Sequence, residues 1–353
     1  MLRATLTRTF NVTIVIERGA IDRVGEIVGE LSPYNVLLVS DREVTKIWAQ
    51  RVRESLDKAN VPLKQVLVPA GERSKTLRIV SRLWKYMLKE GYARDSMIVA
   101  VGGGSLLDAV GFVASTFMRG CRLVYVPTTL LAQADAAIGG KTAIDFCGKN
   151  TIGTFYHPEC IIIDPTTIKT LPLEEVKSGL VEVVKHATIS GEDFFEFVES
   201  NIERLPHDVD LIEEAVKRSV SFKLNIVASD YTDEGGIRAL LNFGHTIGHA
   251  IEAASNFTIG HGKAVAIGMI YEARIAHELL GFPREQLERL ERIVRKLDLP
   301  TRTSILPASL LKHLRHDKKF LRGKPRLPLP VRIGEFQLVE LKWRGLEEVL
   351  SKL

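Results

Sequence analysis

No stretch of the 353-residue chain approaches the roughly 18 consecutive apolar residues that a membrane-spanning helix needs. The opening residues, MLRATLTRTFNVTIVIERGA, also lack the unbroken apolar core and small-residue cleavage site of a secretory signal. A cytoplasmic protein is therefore expected. Cysteine is scarce: Cys121, Cys147 and Cys160 form no CxxC pair and no ladder, which suits reduced, partly buried thiols. No block of basic residues accompanies the net charge of +5, so nucleic acid is not an expected partner. Basic residues gathered in one pocket would suit an anionic small molecule instead. Two familiar signatures are missing as well. There is no GxGxxG, and the HExxH of zinc hydrolases fails because Thr246 stands between His245 and His249 where its glutamate would be.

What is present is the composition of an ordinary globular protein, 45% hydrophobic and 26% charged, long enough for two domains. The first half alternates strand and helix patterns. Phe10, Val12, Ile14 and Ile16 alternate on one face of a first strand, followed by strands at Asn35–Ser40, Gln65–Val68, Met97–Val101, Arg122–Val126 and Cys160–Ile163. Amphipathic stretches at Thr76–Glu90 and Leu106–Thr116 lie between them, which predicts a parallel sheet with helices on its faces. From Leu173 to about Leu297 the periodicity is helical, and a strand pair near Arg326–Leu329 and Glu335–Val339 precedes a last helix. The expectation is a Rossmann-like α/β domain over residues 1–170. A mainly helical domain follows over 171–353, with a ligand cleft between the two.

Three stretches of the first half carry polar chemistry at strand ends. MIVAV runs into Gly102, Gly103, Gly104 and Ser105, where bare backbone and a helix amino terminus suit a phosphate. PAGERSKT offers Gly71, Glu72 and Lys75. VPTTLLAQADAAIGGKTAIDFCGKN sets Asp135, Lys141, Lys149 and Asn150 among small apolar residues, and buried polar groups need partners that a substrate can supply.

The helical half offers metal ligands. His245 and His249 are four apart and share a helix face, with His261 further on. Glu182 and His186 have the same spacing, and Lys185 lies three residues beyond Glu182. One carboxylate with two imidazoles is a catalytic zinc arrangement. Spacing does not choose among the ligand sets.

The blocks GGGSLLD, RG, PTTLLAQADAAIGGKTAID with GKN, TLP with SGLVEVVKH, RALLNFGHTIGHAIE, HGKAVAIGM and DKK occur in this order from about Gly71 to Lys319. Together they resemble the 3-dehydroquinate synthase family. The resemblance implies a homodimeric lyase of the shikimate pathway of aromatic amino acid biosynthesis, using NAD and a divalent metal, zinc or cobalt. Its reaction turns 3-deoxy-D-arabino-heptulosonate 7-phosphate into 3-dehydroquinate and phosphate. The steps are transient oxidation by NAD, phosphate elimination, re-reduction and intramolecular aldol closure.

Carried over by motif, the resemblance makes Glu182, His245 and His261 the metal ligands and His249 a substrate residue. It sets NAD against Gly71, Glu72, Lys75, Gly103, Gly104, Ser105, Leu106, Leu107, Asp108, Thr128, Thr129, Lys141, Lys149, Thr167 and Thr170. Substrate groups would come from Asp135, Lys141, Asn150, Lys185, Lys223, Arg238, Asn242, His249 and Lys318. Arg119 would reach a neighbouring subunit's site. Asp145 and Phe146 depart from the Asn-His that many members carry. The alternatives are an NAD- and metal-dependent polyol or glycerol-phosphate dehydrogenase, which would share the GGGS turn and PTT segment, and a cyclase of another sugar phosphate.

Overall fold

The computed structural model describes residue 3 and residues 9–233, 236–315 and 325–351. It divides into two compact units, Met1–Thr170 and Leu171–Leu353.

The first unit is built on a six-stranded sheet. Its strands are β1 (Thr13–Ile16), β2 (Val36–Asp41), β3 (Leu63–Val68), β4 (Met97–Gly102), β5 (Arg122–Pro127) and β8 (Cys160–Ile163). They lie in the order β1-β8-β5-β4-β2-β3, and every pairing is parallel. VLLVSD and MIVAVG are central strands covered on both faces, so each is buried at every position and reads as a continuous apolar run. The edge strands β1 and β3 are only partly buried, and their sequences mix polar with apolar residues. One face packs Val36, Leu38, Val99, Val101, Val124, Val126 and Ile162 against Ile21, Val24, Val52 and Leu56. The chain leaves β2 for β3 on one side and returns to β4 on the other, so the strand order reverses between β2 and β4. Such reversals open a crevice at the carboxyl ends of the strands.

A small antiparallel hairpin, β6 (Lys141–Ile144) with β7 (Ile152–Phe155), was not anticipated from the sequence. Each strand has only four residues, and β7 has no buried position, so no two-residue alternation marks it.

The second unit is mainly helical. Helix Leu173–Ser190 buries Val176, Leu180, Val181, Val183, Val184 and Ala187, an apolar surface too wide for a surface helix, which places it in the core. Helix Val209–Ser229 starts where Asp208 Oδ1 accepts from the amides of Asp210 and Leu211 at 3.0 and 3.3 Å. Helices His245–Ala254 and His261–Leu280 pack closely through glycines. A Cβ at Gly268 would lie 2.0 Å from the Gly244 carbonyl oxygen, and Gly244 itself has φ +76°, so neither position admits a side chain. Strands β9 (Arg326–Arg332) and β10 (Glu335–Glu340) form an antiparallel pair in which Pro328 faces Leu338 and Pro330 faces Phe336. Among the described residues no helix is long and apolar enough to cross a membrane.

Candidate active site and metal centre

In the first unit the three polar stretches meet around one lysine. Lys75, only 2% exposed, donates to Asp108 Oδ2 at 2.7 Å and to Asn150 Oδ1. Its carbonyl accepts from Asp145 N at 2.8 Å, which ties the PAGERSKT loop to the GKN turn. Glu72 accepts from Ser105 Oγ at 3.0 Å, joining that loop to the glycine turn. Gly71 has φ +64°, as this tight approach requires. Helix Gly104–Thr116 begins directly after β4, at the reversal of strand order, and no side chain caps it. Its amino end is thus bare main chain with a positive dipole, the chemistry that suits a pyrophosphate. A Cβ at Gly104 would stand 3.0 Å from Ala136 Cβ, so a larger residue would push against the segment that carries Asp135.

Other residues expected here contribute differently. Leu106 and Leu107 bury their side chains and return their amides to the Gly103 carbonyl at 3.1 Å each. Thr128 N donates to Gly102 O at 3.0 Å, and Thr129 Oγ1 accepts from Ala132 N at 3.2 Å. Thr167 is fully buried and accepts from Gln133 Nε2 at 2.9 Å. Thr170 Oγ1 accepts from Trp48 Nε1 at 2.9 Å. The threonines therefore fix the loops at the strand ends. Lys141 and Lys149 are exposed, as is Arg119 on a turn where Met118 and Arg119 both take left-handed backbone, φ +51° and +64°.

In the second unit, the core helix directs Glu182 and Lys185 to one side. Lys185 Nζ lies 2.5 Å from Glu182 Oε2, and both side chains are 1% exposed. His245 Nε2 lies 3.5 Å and His261 Nε2 3.4 Å from the same oxygen, Glu182 Oε1. His245 opens its helix, His261 opens the next, and His249 follows one turn after His245. Ligand atoms of Glu182, His245 and His261 all lie within 4.8 Å of one another, as do those of His249, Glu252 and His261. The tempting His245–His249 spacing is split between these two sets, and His186 belongs to neither.

The electrostatics suit a cation. Burial disfavours charge on Glu182, yet Lys185 and His245 hold its carboxyl well below the usual range. Both its oxygens are shielded from solvent and make no hydrogen bond of good geometry. Burial pushes His245 down, keeping it neutral. For His261 burial acts in the same direction, but the neighbouring Glu182 and Glu252 carboxylates outweigh it and raise the ring to about 9. A buried anionic carboxylate facing two imidazole nitrogens fits a divalent ion such as zinc.

Lys223 is buried on helix Val209–Ser229. Arg238, 1% exposed, donates from Nη1 to the Tyr231 carbonyl at 2.8 Å and from its amide to Asp230 Oδ2 at 3.2 Å. Asn242 closes the short turn Ile237–Asn242 that leads into the His245 helix. Lys318 lies outside the described residues.

Sequence reasoning missed two buried acids. Glu252 is 4% exposed, with Oε2 3.5 Å from His261 Nδ1. Glu272, fully buried, accepts from Gly244 N at 2.8 Å and Ile247 N at 3.5 Å, capping the His245 helix from its neighbour. Position relative to the histidines is the signal that marked Glu252, at three beyond His249 and seven beyond His245. Glu272 is marked only as a lone acid within the apolar run AVAIGMIYEARIA.

Comparison with known proteins agrees with this arrangement. Residues 65–178 match the model of the 3-dehydroquinate synthase N-terminal region and residues 179–320 that of its C-terminal region. A 3-dehydroquinate synthase of Desulforamulus reducens is 39% identical over 347 residues, covering 96% of both chains. Among solved structures, the 2-epi-5-epi-valiolone synthase ValA of Streptomyces hygroscopicus, with NAD+ and Zn2+ bound, superposes with a TM-score of 0.89. It is 26% identical, and the match covers 100% of this chain and 98% of that one. A 2-deoxy-scyllo-inosose synthase complexed with carbaglucose-6-phosphate, NAD+ and Co2+ gives 0.87 at 28% identity, over 98% and 97%. With a glycine turn at the sheet's reversal and a Glu–His–His cluster inside the matched regions, the chain belongs to the 3-dehydroquinate synthase family.

Proposed function

We propose that this chain is a 3-dehydroquinate synthase, releasing phosphate from 3-deoxy-D-arabino-heptulosonate 7-phosphate as it closes the carbocycle. The observation that carries this reading is the convergence of Glu182, Lys185, His245 and His261 within a chain 39% identical to a synthase of that name over nearly its whole length. In this reading residues 1–170 bind NAD and residues 171–353 hold the metal and the substrate. The protein works as a cytoplasmic homodimer in which Arg119 serves the partner's site.

NAD+ and a divalent cation would supply a recyclable hydride acceptor and a Lewis acid for hydroxyl oxygens. The chain's own residues do the rest. Glu182 stays ionised because Lys185 neutralises it in a site shut off from water. His249, with its side chain 41% exposed beside the cluster, is suited to holding a phosphate. Lys223, Arg238 and Asn242 are suited to the substrate's carboxylate and hydroxyls, Arg238 through the planar fork of its guanidinium. The glycine turn and Lys75 position the dinucleotide.

A second reading, a cyclase of another sugar phosphate, is favoured by the likeness to the valiolone and inosose synthases. Their identities of 26 and 28%, against 39% for the dehydroquinate synthase, rank it below the first. One assay separates them: phosphate release from the heptulosonate phosphate with zinc and catalytic NAD. Phosphate far exceeding the NAD supplied, with no NADH accumulating, is the expected result. Turnover only with another sugar phosphate would move the chain to the second reading, and stoichiometric NADH would make it a dehydrogenase.

A further inference from the structure

His261 turns its two ring nitrogens towards two different carboxylates. Nε2 lies 3.4 Å from Glu182 Oε1, and Nδ1 lies 3.5 Å from Glu252 Oε2. A neutral imidazole keeps one hydrogen, so one nitrogen can bind a cation while the other donates. Either carboxylate could in principle be the cation's partner, since His261 belongs to both donor sets.

His245 breaks the symmetry. Its Nδ1 lies 3.2 Å from the carbonyl oxygen of Phe243, which can only accept. The hydrogen of His245 is thereby fixed on Nδ1, and the lone pair of Nε2 faces Glu182 Oε1. On the other side, His249 Nε2 stands 3.9 Å from Glu252 Oε2, outside hydrogen-bond reach, on a side chain that is 41% exposed. The Glu182 side therefore gathers two imidazole nitrogens about one anionic oxygen. The Glu252 side offers an acceptor to the back of His261, as Phe243 does to the back of His245.

We propose that Glu252 is a positioning residue: its carboxylate accepts the Nδ1 hydrogen of His261 and holds the tautomer and ring orientation that turn Nε2 towards the Glu182–His245 metal position. The inference rests on the metal reading given above and extends it to a residue behind the ligands. Burial supports it. The Glu252 side chain is 6% exposed, and a carboxylate in such a place is costly unless it meets a donor. Because Glu252 also lies on the His249 side, it links the metal ligand to the residue suited to phosphate.

Removing the carboxylate behind a zinc-bound histidine characteristically weakens metal affinity by about 10- to 100-fold. The test uses the full-length chain stripped of metal, titrated with zinc against a chromophoric chelator and with cobalt(II) for its absorption spectrum. Glu252→Ala is expected to weaken zinc binding within that range and to alter the cobalt spectrum, while Glu182→Gln abolishes binding. Glu252→Gln, whose amide oxygen still accepts from Nδ1, is expected to recover part of the loss. If Glu252→Ala does not fold, Glu252→Met, which fills the space without an oxygen acceptor, is read against the unmodified chain, and equal affinity with an identical spectrum overturns the proposal. Loss of binding in Glu182→Gln with none in Glu252→Ala removes the role of Glu252 and leaves the metal reading intact. Zinc retained by Glu182→Gln but lost in Glu252→Gln and His249→Ala would put the cation on the other donor set and overturn both.

Discussion

In the first unit Lys75 leaves the loop after β3 and reaches Asp108, 33 residues on, and Asn150, 75 residues on. In the second unit Lys185 meets Glu182 three positions away on the same helix. Both lysines are almost wholly buried, yet they hold different things. Lys75 joins its own loop to the helix Gly104–Thr116 and to the GKN turn, stretches far apart in sequence, so its ion pair is part of what gives that region a shape. Lys185 lies on the same helix as Glu182, and its charge acts on the neighbouring carboxylate. A loop-built site depends on its side chains for structure, whereas a helix-built site can devote them to chemistry.

The largest expected effect strikes the helix-built site more than the fold. Glu182→Gln should abolish stoichiometric zinc binding in equilibrium dialysis. Its amide oxygen still accepts from Lys185, so the metal-free protein should lose less stability than Lys75→Met does, as thermal melts would show. A collapse of the melting temperature would contradict the comparison. Lys75→Met should do the reverse. It removes the ion pair with partly buried Asp108 and is expected to cost about 3 kcal/mol in a denaturant titration. Zinc affinity should stay unchanged, and a matching loss of zinc would show that the two regions are not separable in this way.

The pH dependence of metal binding sharpens the contrast. His261 is raised to about 9, whereas His245 is lowered and Glu182 lies far below neutrality. At pH 7 the metal-free site carries one proton, on His261, that a cation must displace. Zinc affinity should therefore fall by about tenfold for each pH unit below about 9, with a slope of one proton. A flat profile between pH 6 and 8 would sink this assignment. The smallest effect is Glu272→Gln, which weakens the cap over Gly244 and Ile247 and should cost about 1 kcal/mol in unfolding free energy.

The same contrast explains what was legible in the sequence. The sheet and the long helices announce themselves because burial imposes a period, and the strands at Met97 and Cys160 and the helices from Leu173 onwards fall where that pattern puts them. Glu182 and His245 were visible as candidates because each sits in a four-residue helical pair, with His186 and His249, and His261 stood out as a further histidine downstream. Choosing that set over His249 or His186 required either the family's motifs or the positions of three helices. The loop cluster is another matter. Nothing in PAGERSKT, GGGS and GKN taken alone says that Lys75 will touch both other stretches, since contacts across 33 and 75 residues depend on strand order. The hairpin β6–β7 escaped notice because it is short and, over β7, unburied. Glu252 and Glu272 escaped because a lone acid on a helix is usually a solvated one.

The prolines of β9 have a bearing on how the protein behaves in a crowded solution. Pro328 and Pro330 lie two apart and so direct their imide nitrogens to the same edge. That edge cannot be the one bonded to β10, because two ladder donors would be missing. It is the outer edge, and at two successive positions it has no N–H to offer. A stray extended segment, from a nascent chain or a damaged neighbour, thus finds no template there on which to grow a third strand. On its β9 side the short hairpin is closed to a further strand at these two positions by its own covalent chemistry.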